Sequence, residues 1–102
     1  MVTWSENLYL GEGIKKKHRR AMFAIKHRRV AYDVFVITFA SNEENLFDII
    51  AADELLFPHN KNCKIHILGL AKGREEAKLL IKDMIVKIYN ETGDFKVRDY
   101  FR

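Results

Sequence analysis

A chain of 102 residues, 48% of them hydrophobic and carrying a net charge of +4, is long enough to bury one core without metals or disulfides. A single cysteine, Cys63, excludes an internal disulfide and fits a reducing compartment. One proline and five glycines are too few for linkers or low-complexity segments, and the longest apolar stretch, Val30 to Ala40, holds Asp33 and is too short to cross a bilayer.

Trp4, Ser5, Glu6 and Asn7 stand where a secretory signal would need its apolar run. The expectation is a single domain over 1–102, cytoplasmic, without a membrane partner. Within it we distinguish a basic N-terminal arm at about 14–29, a βαβα unit at about 31–92 and a C-terminal tail at 94–102.

The basic arm comes first along the chain. From Ile14 to Arg29 there are eight cations (Lys15, Lys16, Lys17, Arg19, Arg20, Lys26, Arg28 and Arg29) and no acid. Ile14, His18, Met22 and Ile25 would mark one face of a helix, but that helix would place a cluster of cations at its positive end. A strand over about Arg19 to His27 avoids the conflict, with Ala21, Phe23 and Ile25 on one side. It would form an antiparallel hairpin with the next strand through a turn near Arg28 and Arg29, although that turn has no glycine. The strand is the preferred reading.

Tyr32 to Ala40 is rich in Val, Ile, Phe and Thr, which suit a buried pleated surface. Ser41 and Glu44 have the spacing of a capping box, and Leu46, Ile49 and Ile50 then give helical spacing. The expectation is a helix from about Asn42 to Phe57, kinked midway and ended by Pro58. Lys64 to Ala71 reads as a second buried strand. After the Lys72-Gly73 turn comes the clearest helix, where Ala77, Leu80, Ile81, Met84, Ile85 and Ile88 form one apolar stripe and Gly93 supplies a left-handed stop.

The two strand–turn–helix units repeat at a spacing of 31 residues, Val36 lying over Ile67. That suggests two parallel strands joined by a right-handed helical crossover. The fold class that follows is α+β, close to α/β: elements in the order β-β-α-β-α, a small mixed three-stranded sheet and both helices on one face. The other face would then need a second copy in a homodimer, or the tail from Phe95 to Arg102, to cover it.

The eight cations of the arm are the first candidate site, for a polyanion such as nucleic acid, because clustered Lys and Arg bind phosphate backbones by releasing counterions. The stretch from Val30 to Asn60 has six acids and no Lys or Arg. An alternative is therefore self-association, as a structural or regulatory interaction protein, of the arm with the acidic 43–54 helix of a second copy. A weaker candidate is an anion at the two helix N-termini, Ser41-Asn42 and Lys72-Gly73. No Walker A, GxGxxG, RNP, GXXG or zinc-finger pattern is present.

His59 and Cys63 are too few for a zinc site, Cys63 has no evident base beside it, and His66 reads as a packed or surface-facing strand residue. No cofactor, metal or catalytic residue is expected, and a binding module is favoured over an enzyme.

Overall fold

The structure, a computed structural model, describes residues 2–31, 33–40, 46–56 and 65–94. Four strands lie among them: β1 (Val2–Leu10), β2 (Val34–Phe39), β3 (Phe47–Ala51) and β4 (Ile65–Lys72). Two α-helices accompany them, α1 (His18–Lys26) and α2 (Arg74–Thr92). A 3₁₀ turn, Lys15–Lys17, leads into α1, and a second one, Ala52–Leu56, follows β3. The strands form one mixed sheet in the order β1-β4-β2-β3. β1 runs parallel to β4, while β2 is antiparallel to both β4 and β3. The class is α+β.

Alternation along the strands splits the core in two. Val34 and Val36 of β2 and Ile67 and Leu70 of β4 join Ile14, Ala21 and Ile25 on the α1 side. Ile37 of β2 and Leu68 and Ala71 of β4 join Ala77, Leu80, Met84 and Ile88 on the α2 side. The helices thus cover opposite faces of the sheet, which corrects the expectation that both share one face. β2 and β4 are apolar on both sides because each is sandwiched. The bare face that called for a dimer or a tail is occupied by α1.

The ladder between β2 and β4 slips once. Ile37 pairs with Gly69 but Thr38 pairs with Ile67, so Leu68 is an extra residue on β4. It is fully buried on the α2 side.

Three further expectations are corrected. The strand over Arg19–His27 is instead helix α1. Ala21 and Ile25, one turn apart, are buried while Phe23 is 53% exposed, a period of 3.6 rather than 2. Burial of Ile14 and Ile25 stabilises the helix by about 1.5–3 kcal/mol each. An exposed cation near a helix N-terminus costs only about 0.3–1 kcal/mol at low salt, so burial wins. The helix ends without glycine: the Arg29 N–H donates to the Ala24 carbonyl and the Arg28 N–H to the Ile25 carbonyl. Arg28 itself takes the left-handed conformation at φ 56°, which completes a Schellman motif.

The helix expected over Asn42–Phe57 is, in its described part, strand β3 followed by a 3₁₀ turn. Phe47 and Ile49 point to the α2 side and Ile50 to the α1 side, so the apolar residues serve two faces of a strand. The parallel crossover is also replaced: β2 and β4 are antiparallel, and β4 takes its parallel partner from β1, a strand the sequence pattern does not announce. The sheet therefore has four strands among the described residues instead of three, in the order β-α-β-β-β-α.

The second helix stands as expected. α2 buries Ala77, Leu80, Met84 and Ile88, and Gly93 closes it in the left-handed region at φ 77°. Its entry depends on Gly73, which holds φ 83° and ψ 153°, a region essentially reserved for glycine. A Cβ there would come no closer than 3.7 Å to any atom beyond its chain neighbours, the nearest being the Asp33 carboxylate. Gly73→Ala therefore adds backbone strain without a clash. Its expected cost is about 1–3 kcal/mol, read from urea unfolding; a loss below about 0.5 kcal/mol would mean that this turn relaxes freely.

Candidate polyanion interface

All eight cations of the basic arm are exposed; six lie on one rod, the 3₁₀ turn running directly into α1, and Arg28 and Arg29 stand just past its end. At about 2.0 and 1.5 Å per residue the rod is about 20 Å long. Its inner side is fixed by Ile14, Ala21 and Ile25. At 100° per residue, Arg19, Arg20, Phe23 and Lys26 then share the water-facing side of α1. Phe23 sits among them half exposed, its ring 4.1 Å from that of His27. The Arg29 guanidinium lies 5.7 Å above the Phe23 ring, which brings the last cation of the arm back onto the same side.

Carboxylates of the described residues do little to neutralise this surface. Lys15 pairs with Glu12 at 2.7 Å, with both side chains exposed, a geometry worth less than about 1 kcal/mol. Lys16, Lys17, Arg19, Arg20 and Lys26 make no ion pair with a described residue.

The second candidate is only partly visible, since Ser41 and Asn42 lie outside the described residues. At Lys72-Gly73 the chain supplies its own anion. The Glu76 carboxylate accepts from the Lys72 N–H through one oxygen and from the Gly13 N–H through the other. The Gly73 N–H donates to the Asp33 carbonyl at 2.8 Å. Lys72, two residues beyond Leu70 and so on the α1 side of the sheet, lines a cavity beside α1.

That cavity is a feature the sequence does not reveal. It measures about 300 Å³ and is lined by Ile14, Ala21, Ala24, Val30, Ala31 and Val34 together with Lys17, Arg20 and Lys72. Its signal in the sequence is the i, i+3, i+4, i+7 set Lys17, Arg20, Ala21 and Ala24, one flank of the rod. Nothing in the sequence announces that Lys72, far along the chain, would face it.

His66 is engaged within the sheet. Its Nδ1 lies 2.7 Å from the Thr3 hydroxyl, and its ring stacks on Phe39 at 6.2 Å. His59 and Cys63 lie outside the described residues. Among the described residues no group of three or more His, Cys, Asp and Glu is arranged to hold a metal, and no helix is long and apolar enough to cross a membrane.

The described residues thus make an α+β domain in which one side of the sheet carries a helical rod with a cationic outer surface. No protein-family model matches the chain, and comparison with curated proteins and with solved structures gave no match.

Proposed function

We propose that this protein is a non-catalytic binding module, acting in the cytoplasm, whose α1 surface engages a polyanion, specifically nucleic acid. The observation that carries the reading is the exposure of all eight cations, six along one rod about 20 Å long and two just past its end. That length matches about six steps of a nucleic-acid strand at 3.4 Å each. Phe23 supports it further: a half-exposed ring flanked by His27 and Arg29 offers a base a stacking surface between phosphate-binding cations.

The acidic partner face required for self-association through the arm is weakened. The described part of the 43–54 segment is strand and 3₁₀ turn rather than an acidic helix. Asp53 already accepts the Ala31 N–H at 2.7 Å.

The test is binding of a labelled single-stranded oligonucleotide followed across salt concentration. Affinity is expected to fall steeply, by about 300-fold between 50 and 200 mM salt if about six phosphates are neutralised. No binding at 50 mM salt would end the proposal. Phe23→Ala is expected to cost about 1–3 kcal/mol of single-strand affinity while changing folding stability by less than about 0.5 kcal/mol, as befits an exposed position. Equal losses in both measurements would assign Phe23 to the fold instead.

A further inference from the structure

The cavity beside α1 has a chemistry distinct from the outer surface of the rod. One flank of the rod supplies Lys17, Arg20, Ala21 and Ala24 to its lining. Val30, Ala31 and Val34, with Ile14 and Lys72, complete it. Three alanines in that lining leave room for about 300 Å³, the lower end of the range for small-molecule sites. Ile14, Ala21, Ala31 and Val34 are held in place by the core, so the apolar wall is preformed. Val30 stands 70% exposed at the edge, an apolar side chain that no packing among the described residues explains.

Three of the nine lining residues are cations and none is an acid. Lys17, Arg20 and Lys72 make no ion pair with a described residue. Of the carboxylates near this end, Asp53 accepts from the Ala31 N–H and Glu76 from the Lys72 and Gly13 N–H groups, while Asp33, beside Gly73, makes no ion pair with Lys72. Lys72 is brought here by β4, while Lys17 and Arg20 come from the rod. The positive charge of the cavity is therefore assembled by the fold and is not simply a share of the basic arm.

We propose that this cavity binds a small amphipathic anion, a molecule with an apolar body the size of a short acyl chain and one anionic head. The body would lie on the Ala24, Val30, Ala31 and Val34 side chains, and the head would meet Lys17, Arg20 and Lys72. The proposal does not depend on nucleic-acid binding, because Lys72 lies outside the arm and the apolar wall has no part in phosphate contacts.

Octanoate below its micellar range, titrated into the ¹⁵N-labelled full chain, tests it. Saturable amide shifts confined to Ala21, Ala24, Ala31, Val34 and their neighbours are expected. Octanol, which keeps the body and lacks the charge, and inorganic phosphate, which keeps the charge and lacks the body, should each bind at least about tenfold more weakly. Lys72→Gln should weaken octanoate by about fivefold and leave oligonucleotide affinity unchanged, which separates this site from the outer surface. Ala24→Leu, on a half-buried helical position, should fill the space and remove octanoate binding while the rest of the spectrum keeps its dispersion. Shifts spread over the whole basic surface, phosphate or octanol binding as tightly as octanoate, or binding that survives Ala24→Leu in a folded protein would each overturn the assignment.

Discussion

Replacing Lys15, Lys16, Arg19 and Lys26 together by glutamine is expected to remove measurable nucleic-acid binding at 150 mM salt. Each phosphate left without its cation lowers the slope of log affinity against log salt by about 0.7 for a single strand and 0.9 for a duplex. Four such phosphates would lower the single-strand slope by about 3 units. Glutamine is close to lysine and arginine in helix propensity, and all four positions are exposed, so α1 should persist. Lys17 and Arg20 are left in place to keep the cavity lining intact. The control removes the same charge elsewhere: Arg74, Lys78, Lys82 and Lys87 of α2, on the opposite face of the sheet, changed to glutamine. If the control loses as much affinity as the α1 variant, binding follows net charge alone and α1 is not the footprint.

Met84→Ala is expected to give the largest loss of stability among single core truncations on the α2 side. Met84 is fully buried in the cluster that joins α2 to Ile37 of β2 and Leu68 of β4. Truncating a buried Met to Ala costs about 2–5 kcal/mol, against a total stability of about 5–15 kcal/mol for a domain. The melting temperature should fall by about 10 °C or more. Leu79, on the same helix but 64% exposed, provides the comparison: Leu79→Ala should change stability by less than about 1 kcal/mol. Similar losses at the two positions would mean that α2 docks through a different face.

What can be read from the sequence divides along physical lines. α2 is legible because one face is buried and the other wet, and because glycines stand at both of its ends. β2 is legible as a dense run of β-branched and aromatic residues, and β4 as a short, nearly continuous apolar run. α1 is harder to read. Its cations sit where a helix dislikes them, and its end is a Schellman motif built on Arg28, without the glycine that normally marks one.

β3 imitates a helix for a different reason. Leu46, Ile49 and Ile50 have helical spacing, yet a strand covered on both sides can carry the same spacing, with Ile49 and Ile50 entering different cores. β1 is hidden by Ser5, Glu6 and Asn7. They interrupt its alternation at the place where its register against β4 breaks, between Trp4 and Tyr9.

The outer surface of the rod is visible as composition, since eight cations without an acid need no fold to be counted. The cavity is not. It depends on Lys72 meeting Lys17 and Arg20, a juxtaposition made by long-range pairing of β4 and not by any local pattern.

The central place of β4 bears on how the molecule comes into being. β1, which precedes the other described strands, has as its neighbour a strand that begins at Ile65. Until that segment leaves the ribosome, the earlier residues hold a β2–β3 hairpin at most, and an isolated hairpin is marginal in water. A fragment ending at Leu56 would have β1, α1, β2 and β3 but no template to unite them, so completion of this sheet is tied to a late stretch of the polypeptide.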